Sequence, residues 1–242
     1  MGGARVSKLE SCRKGFPNPY TAFINNKDIM DFDAVVESFK VSGSAVSNSF
    51  YQGKNRTTFH ELSYAVGMKV ITLSLFFSAP TRRRLTLNKS AVDALMVGKI
   101  ELHMPDGFYY DAVLTSAGEL QMLGVEQNQL IALCTYTFQG IQRDELKMVT
   151  GNTLLAEGTA PHMDCRLTCT ATANRATMQV GSVTFSGIHT GDVVVADGID
   201  GVLTVNGSPV VASFTKLPYL VPGEQTIVCP ETLTVEYYPT YI

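Results

Sequence analysis

The sequence predicts a mainly β protein built from two β-rich blocks with a single helix. Three observations predict it. Apolar residues recur at every second position in several separate runs, the signature of strands with one buried face. Those runs are punctuated by Asp-Gly and Asn-Gly pairs, the chemistry of tight turns. The charge also changes character along the chain: up to Gly140 there are 14 basic and 12 acidic residues, and after it 5 and 10. Two halves of different character predict two domains.

In chain order, residues 1–22 read as an N-terminal arm, with prolines and glycines among basic residues. In "MKVITLSLFF" Ile71, Leu73, Leu75 and Phe77 share a face. The run Arg82 to Val97 is the one helix. Ser90 and Asp93 offer a capping-box pair, but Leu85, Val92, Leu95 and Met96 at helical spacing put its start near Thr81, and Gly98 supplies the stop. "KIELHM" buries Ile100, Leu102 and Met104, and Pro105-Asp106-Gly107 turns it into "FYYDAVL" as a hairpin. "NQLIALCTYTFQG" lines up Leu130, Ala132, Cys134, Tyr136 and Phe138. The polar stretch Gln142 to Asn152 is the expected boundary, giving domains 23–148 and 149–242. Beyond it, "CRLTCTATAN" puts Cys165, Leu167, Cys169 and Ala171 on one face, and "TLTVEYYP" repeats the pattern with Leu233, Val235 and Tyr237.

Composition narrows the function classes. Hydrophobic residues make up 45% and charged residues 17% of the 242, below the roughly 25% charged average. A β-rich chain so sparsely charged is expected to have surface covered by partner chains. A net charge of −3 sets up no field that would gather nucleic acid. The start has no apolar signal-peptide core, and no apolar run is long enough to span a membrane as a helix. The expectation is folding in a cytoplasm. Five cysteines, an odd number, do not make a disulfide framework, and the sequons at Asn55, Asn88 and Asn206 then carry no message.

Each candidate for chemistry has a plainer reading. Asp192, Asp197 and Asp200 lack the 1-3-5 spacing and distant Glu of a calcium loop. No Gly-x-x-x-x-Gly-Lys loop precedes a helix there, so they read as turn residues. His162, Cys165 and Cys169 resemble zinc spacing, but two cysteines four apart in a strand stand about 13 Å apart. Buried free thiols are expected. His60, His103, His162 and His189 are scattered, with His103 on the polar face of its strand. No Gly-x-Ser-x-Gly elbow occurs. Arg82, Arg83 and Arg84 point in different directions on a helix and read as a solvated first turn, with room for an acidic partner. The expectation is therefore no enzyme, no catalytic, cofactor or metal residues, no cofactor, and no assignable ligand-binding residues.

Several segments together are similar to one known family. These are "INNKDIMDFDAVVESFKVSGSAV", "LHMPDGFYYDAVL", "GTAPHMDCRLTCT", "VVVADGIDGVLTVNG", "LPYLVPGEQTI" and the terminal "EYYPTYI". In order and spacing, from Phe23 onward, they resemble the distal tail proteins of long non-contractile-tailed bacteriophages (the siphophage tail-tip and baseplate hub family). The first 22 residues look like an addition, and His162-Met163-Asp164 departs from the tighter step usual there.

The resemblance implies an N-terminal β-barrel-like belt domain with one helix, closing into a hexameric ring, and a C-terminal galectin-like antiparallel β-sandwich. It implies a structural virion protein that joins the tail tube to the tail tip and host-adsorption apparatus. Its partners would be itself, the tube protein, tail-tip and receptor-binding proteins, with no membrane and DNA only as passing cargo. The protein would be assembled in the bacterial host cytoplasm and end up at the distal end of the tail. A carbohydrate-binding β-sandwich for host recognition is the competing reading, against which stands the absence of Trp.

Overall fold

The computed structural model describes residues 20–52, 54, 57–58 and 60–242. Of the expected arm, residues 1–19 lie outside them. Tyr20 to Ala22 are tied in. The Tyr20 carbonyl accepts from the Val36 amide at 2.7 Å, Thr21 Oγ1 donates to Asp28 Oδ1 at 2.5 Å, and Ala22 is fully buried. The chain divides between Gln142 and Arg143 into two compact units.

In the first unit the sheet runs in the order Lys27–Asp28, Phe23–Ile24, Lys99–His103, Tyr109–Ala117, Gln129–Arg143, Lys69–Ala79, Ala34–Val41. Its centre is the antiparallel pairing of the two longest strands, which sets Ile71 opposite Phe138, Leu73 opposite Tyr136, Leu75 opposite Cys134 and Phe77 opposite Ala132. At Leu75–Cys134 and Phe77–Ala132 a large side chain faces a small one, which helps the layer pack at native density. All eight are buried, as their alternation requires.

The helix spans Arg82–Leu95. Thr81 caps it, its Oγ1 accepting from the Arg84 amide at 3.3 Å, which satisfies one of the open amides of the first turn. Ser90 and Asp93, the alternative start, lie inside the helix. Leu85 and Val92 are fully buried and Met96 nearly so, whereas Leu95 is only half-buried against the same core. The helix also stops short of Val97, at a cap on Met96.

The expected hairpin is present. Lys99–His103 and Tyr109–Ala117 pair antiparallel, with Asp106 Oδ1 accepting from the Phe108 amide at 3.1 Å and Gly107 at φ 86°. That left-handed turn position is one glycine occupies without strain.

The second unit has a main antiparallel sheet ordered Lys147–Thr150, Thr234–Tyr237, Met163–Thr170, Val193–Asp197, Val202–Val205, Ser208–Pro209. A three-stranded sheet (Arg175–Val180, Val183–Ile188, Ser213–Phe214) and the pair Thr153–Ala156 with Gly223–Thr226 complete it. One core draws on all three sheets, with Leu167 and Val235 from the first, Val180 and Phe185 from the second, and Leu154 from the third. Asn206 (φ 51°) and Gly207 (φ 76°) close Val202–Val205 onto Ser208–Pro209, the left-handed pair of a two-residue hairpin turn. The fold is thus mainly β, with one α-helix among the described residues.

Candidate functional site

The residues weighed for chemistry take up structural posts. Asp197 is buried, and its Oδ1 accepts from the amides of Ile199 and Asp200 at 2.9 and 3.0 Å. Its Oδ2 takes the Arg166 Nε–H at 2.6 Å, and Asp200 takes the other end of that guanidinium at 2.8 Å. These contacts raise the Arg166 pKa, the hydrogen bond to Asp197 first. Asp192 accepts from the His189 amide at 2.7 Å and from Asn206 Nδ2 at 2.8 Å, which holds its carboxyl below the usual range. The three acids therefore staple three turns.

Cys165 and Cys169 lie on the buried face of Met163–Thr170. Burial pushes the Cys165 thiol up to about 12. His162 is not directed at them but packs on Tyr219, ring centroids 4.5 Å apart. Among the described residues no three His, Cys, Asp or Glu side chains are grouped to hold a metal. His103 differs from its expected solvent setting. It is half-buried in a stack with Tyr109 at 4.3 Å and Phe23 at 5.9 Å. Strand pairing supplies both rings, and pairing is invisible along a single run. Arg82, Arg83 and Arg84 are all exposed.

What stands out instead is apolar surface on the first unit. Among the described residues Val46–Tyr51 and His60–Val66 pair only with each other, from Val46 opposite Val66 to Tyr51 opposite His60. The hairpin is rooted where Ser42 exchanges backbone and side-chain bonds with Val70 at 2.9 and 2.8 Å, and where the Gly67 amide meets the Ala45 carbonyl at 2.6 Å. Beyond that root its apolar residues lie open. Phe50 is 64% exposed, Tyr51 61%, Leu62 68% and Tyr64 53%. A lone two-stranded ribbon is marginal in water, and large apolar side chains left this exposed on it are what an interaction surface presents. Sequence reasoning passed over this element. The available signal was two β-forming runs, "VSNSFY" and "HELSYAV", flanking the turn-rich "QGKN".

A second patch lies on Gln121–Glu126. This strand pairs on one side with Gln129–Leu133 through a left-handed turn at Gln127 and Asn128. Leu123 and Val125 are exposed. With Gly124, Phe76, Ile131 and the charged Glu126 they line an open groove of about 380 Å³. Among the described residues the other edge of Gln121–Glu126 pairs with no strand, so its backbone amides and carbonyls are open to another strand.

No family model matches the sequence, and no curated protein does. Solved structures do match. The Dit protein (gp 19.1) of SPP1, described as a paradigm of the hub adsorption apparatus in phages that infect Gram-positive bacteria, superposes with a TM-score of 0.73. That match has 10% identity and covers 92% of this chain and 99% of that one. A chain of the phage P2 baseplate, in its activated conformation with Ca, matches with a TM-score of 0.51 and 11% identity over 90% and 97% of the two chains. With 92% of this chain superposed, it shares the fold of the SPP1 hub protein.

Proposed function

We propose that the protein is a structural component of a phage tail tip, a distal tail hub that assembles into a hexameric ring and joins the tail tube to the adsorption apparatus. The end-to-end match to the SPP1 hub protein carries this reading. The domain roles, a ring-forming belt in residues 23–148 and a galectin-like sandwich in 149–242, belong to the same proposal, as do its position at the distal end of the virion tail and its assembly in the host cytoplasm.

The first unit offers what a ring requires. Closed rings need two different complementary patches per subunit. The strand pair Val46–Tyr51 and His60–Val66 and the edge Gln121–Glu126 are two such patches. In the assembly, the hairpin of one copy covers the groove edge of the next.

Light scattering on the purified chain, with negative-stain microscopy, tests the reading. A mass of six copies and six-fold rings support it. One or two copies at every concentration would overturn it and leave the carbohydrate-binding module in its place.

A further inference from the structure

The strand Met163–Thr170 brings Cys169 to Cys229, 60 residues further on, with the two sulfurs 3.9 Å apart. Cys169 is buried, and Cys229 is half-buried between Thr226 and Thr234. The segment that carries Cys229 is held firmly. Asn152 Nδ2 donates to the carbonyls of Cys229 and Glu231 at 3.0 and 2.9 Å, and Asn152 Oδ1 accepts from the Leu233 amide at 3.0 Å. The Val228 carbonyl accepts from the Gly181 amide at 2.8 Å. Glu231 is clasped by Thr172 and Arg175.

We infer that Cys169 and Cys229 are an oxidisable pair that closes to an intramolecular disulfide. A disulfide needs sulfurs about 2 Å apart, so the two sulfurs at 3.9 Å have only about 2 Å left to close. Cys165 shares the buried face but sits four residues away along the strand, about 13 Å off.

The chemistry has a direction. Cys169 is buried and Cys229 only half-buried, so a small disulfide reaches the Cys229 sulfur first, and the pairing lowers the Cys229 thiol while raising that of Cys169. Cys229, the more exposed of the two, is therefore the attacking thiolate. It attacks one sulfur of a small disulfide such as oxidised glutathione. The leaving thiolate takes up a proton, and a mixed disulfide remains. Cys169 then gives up its proton and attacks the Cys229 sulfur, expelling the second small thiol. Two protein thiols are oxidised to one disulfide, and one small disulfide is reduced to two thiols. The bond ties the strand to the Ile227–Leu233 segment and constrains a long loop in the unfolded chain. A particle assembled in a reducing cytoplasm and released outside would gain that tie on release. Only this last consequence rests on the proposed function.

The test uses the full chain, oxidised with glutathione disulfide, then differentially alkylated and mapped by peptide mass. Joined Cys169 and Cys229 peptides, reversed by dithiothreitol, are expected. A melting temperature about 10–20 °C higher for the second unit is expected with them. In Cys169→Ser, Cys229 should stop at the mixed disulfide. Both thiols alkylated after oxidation, a lasting glutathione adduct on wild-type Cys229, or a bond from either cysteine to another would each overturn the inference. These readouts are the same for a ring or a monomer, so they fail independently of the tail-tip reading.

Discussion

The Tyr136 hydroxyl donates to Asp93 Oδ1 at 2.8 Å, joining the middle of the longest strand to the last turn of the helix. Both groups are constrained. Tyr136 is fully buried, and Asp93 also accepts from Lys89 Nζ at 2.7 Å. Burial first, then its hydrogen-bonded neighbours, raises the Tyr136 pKa, so it remains a donor. Asn88 adds a second polar tie, donating to Asp33 at 3.0 Å from the buried face of the helix.

Tyr136→Phe should therefore lower the stability of the first unit by about 1.5–3 kcal/mol, the cost of removing a hydrogen bond to a charged partner. Urea unfolding should show a lower midpoint with an unchanged slope. An unchanged midpoint would show that the bond contributes nothing net.

In the second unit, Gly198 sits where a Cβ would overlap the Pro218 carbonyl oxygen and stand 3.0 Å from that of Cys165. Both obstacles are backbone and cannot swing aside. Gly198→Ala should cost about 1–3 kcal/mol by overpacking. Gly207→Ala, with open space around its Cβ, strains only the turn's φ of 76°. Thermal melts should rank Gly198→Ala as the more damaging, and the reverse order would contradict the close approach.

Glu231 gives the second unit an acid dependence. Its bonds from Thr172, and then the Arg175 ion pair, hold its carboxyl below the ordinary value of 4.5. A depressed folded-state pKa contributes stability that is whole above the unfolded value and lost as pH falls through the folded one. Stability should thus fall as the pH drops below 4.5, and Glu231→Gln should flatten that part of the profile. Parallel profiles for the two proteins would contradict it.

Most of the fold was legible because each half-buried strand writes its own alternation. Ile71 to Phe77 and Cys165 to Ala171 lie on the buried faces their spacing assigned. The Pro105–Gly107 turn was legible because only certain residues close it. Long-range relationships were not. Nothing local announces that Cys229 meets Cys169, that Phe23 and Tyr109 flank His103, or that Arg166 spans Asp197 and Asp200. Leu95 fits the helical stripe, yet it is only half-buried against the core. The hairpin from Val46 was missed for a related reason. Its exposed strands show no clean apolar face, since neither face packs on the chain's own core.

Self-assembly through that hairpin is checked by the mass of Leu62→Asp/Tyr64→Asp beside wild type. Both side chains are more than half exposed in the single chain, so the substitutions spare the core and should leave the melting transition in place. They put charges into an apolar contact, which is strongly unfavourable when unpaired. By light scattering, wild type should have the mass of six copies and the folded double variant that of one. A double variant that keeps the wild-type mass would contradict assembly through this surface.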